Sequence, residues 1–185
     1  MIIKPISYKD TIIELRKVLI KHSHVKDFKI LNALSVRGTD LSSMLSGTET
    51  DGYSMSDVFI LFELFKNSDG NNYVTSINDD EMMSINSYRF HIIIYGNNSD
   101  TCLQYIKAAF KQTSVAQNLR NKGILITGID AGESIHEFYN NTLWLRHDLN
   151  VMLETTTNMT NVEKQEYFDY NNSKNESKVI VETTK

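Results

Sequence analysis

The residues best suited to chemistry fall close together: Asp130, Glu133, His136 and Glu137, followed by His147 and Asp148. Imidazole with carboxylate is a donor set for zinc or manganese, and a small metal-dependent hydrolase using His136, His147 and Asp148 is the enzyme reading it would support. Such a site needs ligands at defined intervals on rigid elements. His136-Glu137 is not followed by a second histidine at the spacing a zinc-binding helix demands. His147 falls on the apolar side of an alternating segment, where a hydrogen-bonded core or interface histidine is the commoner outcome. The expectation is no metal site, no cofactor and no catalytic residue.

Other reactive patterns are missing from the sequence. Gly123 and Gly128 stand alone, far from any Lys-Ser/Thr pair, so no phosphate-binding loop is present, and there is no Gly-x-Ser-x-Gly elbow. Cys102, the single cysteine, cannot form an internal bridge and reads as a small core residue. Trp144, Arg146 and Asp148 alternate along one side of a strand. An ion pair or ring stack on an exposed or subunit-contacting sheet face accounts for them most simply.

The elements that would position these residues follow from periodicity. Tyr8, Ile12, Leu15 and Leu19 make one stripe of a helix over 8–22 that Ser7 can cap. Residues 28–36, with Phe28, Ile30, Leu34 and Val36 alternating, read as a strand. Val58 to Phe65 is apolar on both sides, as a strand covered on both faces would be. Asn67 to Asn72 reads as a turn, with Tyr73 to Ile77 pairing back. From Met83 to Tyr95 a longer strand sets Tyr88, Phe90, Ile92 and Ile94 against Arg89, His91, Ile93 and Tyr95. Ser99 is the expected N-cap of a helix that buries Cys102, Leu103, Ile106, Ala109 and Phe110. A second helix, Val115 to Lys122, ends at Gly123. Strands follow at 124–129 and 143–155. In the latter, Leu143, Leu145, His147, Leu149, Val151 and Leu153 point one way.

This order predicts an α+β fold, a mostly antiparallel β-sheet packed by α-helices. The domain spans residues 1–157 and includes a long polar loop at 38–56. Residues 158–185 are rich in Asn, Lys, Glu, Ser and Thr and form a flexible C-terminal arm. Its Val179-Ile180-Val181 could add as a strand to a neighbour's sheet edge.

At 185 residues the chain can bury a core without disulfide or metal. A net charge of −4 argues against nucleic acid as the main partner. No apolar run is long enough for a membrane span, and the N-terminus lacks a signal-peptide core. Charge is uneven: Lys9, Arg16, Lys17, Lys21, Lys26 and Lys29 make the first thirty residues basic. Against them, residues 40–81 carry Asp40, Glu49, Asp51, Asp57, Glu63, Asp69, Asp79, Asp80 and Glu81 with only Lys66. Such faces can steer one copy onto the next.

Taken in order, Tyr95-Gly96, the helix to Phe110, Gly123-Ile124-Leu125-Ile126, and Asn141-Thr142-Leu143-Trp144-Leu145-Arg146-His147-Asp148-Leu149-Asn150-Val151 form a recognisable set. The set resembles the bacteriophage neck- or tail-terminator family over about residues 87–155, and more loosely 8–65. The family commonly has prolines in the loop before its apolar strand, whereas 38–56 has none and Tyr53 is the only candidate match. The resemblance implies a virion protein made in the host bacterial cytoplasm. It would form a homo-oligomer, a hexameric ring that ends the tail tube and joins it to head-connector or portal adaptor proteins, with DNA passing through transiently. Another head-completion or connector protein is the neighbouring reading. The candidate subunit-contact residues are Arg16, Lys17, Lys21, Asp57, Glu63, Trp144, Arg146 and Asp148.

Overall fold

Helix α1, Tyr8–His22, begins where Ser7, in extended conformation, accepts a hydrogen bond from the Asp10 backbone N–H. Its side-chain stripe buries Thr11, Leu15 and Leu19, while Tyr8 stays half-exposed and donates its hydroxyl to the Leu64 carbonyl at 2.7 Å. The computed structural model describes residues 4–36, 57–67, 73–78, 81–139 and 142–158. Most of the expected turn at 67–72, the loop 38–56 and the arm beyond Asn158 lie outside the described residues.

After α1 the chain does not form the strand expected over 28–36. A 3-10 turn at Asp27–Lys29, a three-residue strand β1 (Ile30–Asn32) and a second 3-10 turn at Ala33–Ser35 replace it. Asn32 accepts from the Leu34 backbone N–H through its side chain and so turns the chain away from the sheet. Phe28 and Leu34 are consequently 63% and 67% exposed.

The sheet contains β1, β2 (Phe59–Lys66), β3 (Tyr73–Asn78), β4 (Glu81–Tyr95), β5 (Ile124–Ile129), β6 (Glu133–Tyr139) and β7 (Thr142–Asn158). Its frame is the long antiparallel pair β4–β7, in register from Met83 opposite Asn158 to Tyr95 opposite Arg146. Each of these strands carries two shorter ones along its outer edge. β2 and β3 lie end to end on β4, and β6 and β5 end to end on β7. β3 therefore forms its hairpin with β4, not with β2 as the sequence suggested. Among the described residues only β1 on β2 is a parallel pair. The architecture is α+β with a largely antiparallel sheet, and two more features depart from expectation. β6 was not anticipated as a strand, and β7 is longer at both ends.

Helices α2 (Ser99–Lys111) and α3 (Thr113–Asn121) follow β4. Asn98, not Ser99, is the N-cap residue of α2. α3 closes with Gly123 at φ +96°, its N–H donating to the Arg120 carbonyl. The helices cover one face of the sheet. Leu15, Leu19, Leu103, Ile106, Phe110 and Leu119 meet Ile60, Phe62, Phe90, Ile92, Ile94, Leu149 and Val151 there, all nearly inaccessible. Cys102 belongs to this core, and burial pushes its thiol up to about 12. Among the described residues no helix is long and apolar enough to cross a membrane.

Candidate functional site

Alternation along a strand sends consecutive side chains to opposite faces. β4 thus presents Arg89, His91, Ile93 and Tyr95 away from the helices. β7 presents Trp144, Arg146 and Asp148 on that same second face. There Phe59, Leu61, Tyr95 and Trp144 make a small core, backed by Leu31, Ala33, Val36 and Ile93. The Phe59 and Tyr95 rings stack at 4.9 Å, and the Trp144 ring meets both edge-on at 6.1 and 6.4 Å. Aromatic pairs of this kind add about 0.5–1.5 kcal/mol beyond the area they bury.

Beside the aromatic cluster lies a network of charges. Arg146 donates two parallel bonds to Asp148, both 2.7 Å long, the geometry in which a guanidinium and a carboxylate fit best. His91 Nε2 lies 3.1 Å from the second Asp148 oxygen. Glu137 of β6 accepts from the Tyr95 hydroxyl at 2.9 Å and from Arg146 at 3.4 Å. The Arg146 guanidinium also lies 5.9 Å from the Tyr95 ring. Phe65 extends the ring system, with Arg89 over it at 5.1 Å and His91 at 6.3 Å.

Burial alone would raise the Asp148 carboxyl, but the bonds from His91 and Arg146 and their charges hold it below its ordinary value. Burial raises the Tyr95 hydroxyl well above its ordinary value; Arg146 opposes the rise and Glu137 adds to it. The arrangement keeps Asp148 charged, Arg146 oriented and Tyr95 neutral. It ties β4, β6 and β7 together at one end of the sheet. Its polar groups bond one another, and the geometry is that of a clamp.

The residues first considered as metal ligands do not converge. Asp130 accepts from the backbone N–H groups of Gly132 and Asn150 and from the Asn150 side chain, so it braces the turn between β5 and β6. His147 and Asp148 are consecutive on β7 and point to opposite faces. His147, on the helix side, lies 2.9 Å from the hydroxyl of Ser99. Glu133 and His136 are exposed on β6. Among the described residues no group of three or more His, Cys, Asp and Glu is placed to hold a metal ion.

The proposed contact residues are similarly divided. Lys17 and Lys21 are exposed on α1, Lys17 bonded to Glu14 at 2.7 Å. Arg16 pairs with Asp27 and Asp57 with Lys29 within the chain. Glu63 is half-buried opposite His91 in the β2–β4 register. Trp144 corrects the expectation of an exposed or subunit-contacting face: it is 1% exposed, covered by the chain's own Phe59 and Tyr95. Arg146 and Asp148 are bonded beside it, with side-chain exposures of only 21% and 12%.

Sequence reasoning missed the partners of His91, Glu137 and Ser99. Each is half of a pair whose members lie 42 to 57 positions apart. The alternation of β4 and β7 gave their faces, but not which strand would lie beside which. No family model and no curated protein matches this chain.

Proposed function

We propose that this protein is a structural component of a bacteriophage neck or tail, a ring of identical copies that ends the tail tube and joins it to the head connector. The reading rests on the ordered set Tyr95-Gly96, helix, Gly123-Ile124, Trp144-x-Arg146. Its parts come together in one sheet: Tyr95 lies opposite Arg146, and the Gly96 N–H donates to the Leu145 carbonyl at 3.1 Å. Gly96 itself sits at φ +118°, and a Cβ there would meet the Asp57 carbonyl oxygen at 2.1 Å. The glycine after the tyrosine is therefore a packing requirement.

A ring demands rigid protomers and two different, mutually complementary surfaces on each. Rigidity at one end of the sheet comes from the Arg146–Asp148–His91 clamp and the aromatic cluster. The exposed lysines of α1 offer one charged surface. The overall charge of −4 suits a channel that DNA must slide through without being gripped.

Negative-stain imaging and light scattering test the proposal, on the purified protein alone and mixed with isolated tail tubes. Closed hexamers, or capping of tube ends, are the expected result. A monomer that neither closes on itself nor binds tubes would overturn it, as would enzymatic turnover by the same preparation.

A further inference from the structure

A free strand edge exposes a row of backbone donors and acceptors, and folded proteins blunt such edges. β1 is three residues long, and its Ile30 carbonyl accepts from Arg16 at 3.4 Å. Beside it, the Leu64 carbonyl of β2 accepts from Tyr8. β3 shifts register between Ser76 and Asn78, and β5 between Ile126 and Gly128. β6 has no such device. It pairs with β7 without a break from Glu133 to Tyr139 and contains no proline.

The direction of its free groups follows from the register. The Leu145 carbonyl accepts from Gly96, on the β4 side of β7, so Leu145 and its cross-strand partner His136 share no bond. His136, and with it Ser134 and Phe138, therefore turns its N–H and C=O away from β7. Among the described residues nothing bonds these six groups.

Residues 159–185 continue the chain from the end of β7, and Val179-Ile180-Val181 is their only run of three apolar residues. All three are β-branched, as a strand favours. Reach selects this run. Ser134 lies opposite His147, eleven residues back along β7 from Asn158, or ~36 Å at ~3.3 Å per residue. Tyr167 and Phe168 follow Asn158 by nine and ten residues, at most ~33 Å, and fall short. Val179 follows by 21, and its tether extends to ~70 Å.

We propose that Val179-Ile180-Val181 adds as a strand to the free edge of β6 in the same molecule. A segment returning from Asn158 runs antiparallel to β7 and hence parallel to β6. In the register that sets Ile180 beside Ile135, Lys178 meets Glu133, which is exposed and unbonded among the described residues. Glu182 then nears Glu137, whose charge Arg146 already meets. The tether holds the run at an effective concentration on the order of 1 mM, so in dilute solution it outcompetes the same run on a second copy. The strap forms in a monomer and does not depend on the ring.

Amide exchange on the full-length protein, followed residue by residue by NMR, tests this. In the parent the amides of Ser134, His136 and Phe138 are expected to be protected, as are those of Glu133, Ile135 and Glu137, which face β7. Val179→Pro with Ile180→Pro removes the N–H of two adjacent residues, one of which must face β6. The double variant should exchange about tenfold faster or more at Ser134, His136 and Phe138, with the other three amides and the melting temperature unchanged.

Outward amides that exchange freely in the parent, or that stay protected in the variant, would overturn the strap. So would protection that fades on dilution, which assigns the edge to a neighbouring copy. The ring stands or falls separately, on imaging and light scattering.

Discussion

Phe90 and His91 are neighbours on β4, and the surroundings of each differ in kind. Phe90 is fully buried beneath the helices, with Phe62 at 5.7 Å and Phe110 at 6.3 Å. His91 faces the other way and bonds Asp148. The helix side excludes water with aliphatic and aromatic bulk, broken by the buried Ser99–His147 pair. The second side combines a four-residue aromatic core with a charged network. Apolar packing is non-directional and tolerates volume-conserving exchange. A bidentate ion pair bonded to a histidine tolerates neither a shift in register nor the loss of one member. The helix face thus supplies most of the burial, and the second face fixes how β4, β6 and β7 align.

The largest expected effect lies on the helix side. Phe90→Ala should cost about 4 kcal/mol in urea unfolding, since it opens a cavity between sheet and helices. A loss under 1 kcal/mol would mean that this face is loosely packed and the comparison is wrong. Next comes Arg146→Ala, which leaves Asp148 largely buried without its bidentate partner and should cost about 3 kcal/mol. Replacing both, as Arg146→Met with Asp148→Leu, should recover most of that loss while weakening the alignment of β6, readable as faster amide exchange there.

Titration breaks the same pair from the other side. The folded Asp148 carboxyl lies below its ordinary value of 3.8, so its ion pair stabilises the fold above that pH and the contribution disappears as pH falls through the depressed value. The gap in melting temperature between the parent and Asp148→Asn should be present at pH 5 and close as pH falls below 3.8. A gap unchanged at pH 2.5 would contradict the assigned network. Tyr95→Phe keeps the ring stack and removes only the bond to Glu137, for about 1 kcal/mol. The smallest effect belongs to Phe138→Ser, which should leave the stability of the monomer within about 0.5 kcal/mol, because the side chain is already in water.

Much of the framework was legible because it is written in local period. The stripe Leu15–Leu19, the stripe Leu103–Ile106–Phe110 and the alternation of Tyr88 to Tyr95 each identify their element and its buried side. Gly123 marked a helix end for a reason intrinsic to glycine. The reading failed at 28–36, where the Asn32 side chain competes for the backbone and breaks a plausible strand. It failed again at β6, where Glu133, His136 and Glu137 looked like ligands. Glu133 and His136 are polar because they face solvent from an edge strand, and Glu137 because it accepts from Tyr95 and Arg146.

By itself, then, the sequence determined the element types outside 28–36 and β6, the inward side of the helices and of β4 and β7, and the buried place of Cys102. These depend on residues a few positions apart, within reach of one turn or one pleat. Tertiary structure alone decided that Trp144 is covered, that His91 and not His147 joins the Arg146–Asp148 pair, and that the β6–β7 ribbon carries Phe138 exposed. Each of those outcomes depends on which distant strand lies alongside, and period carries no record of that. Pairing is set by the global packing of the sheet, whose energy is shared among residues far apart along the chain.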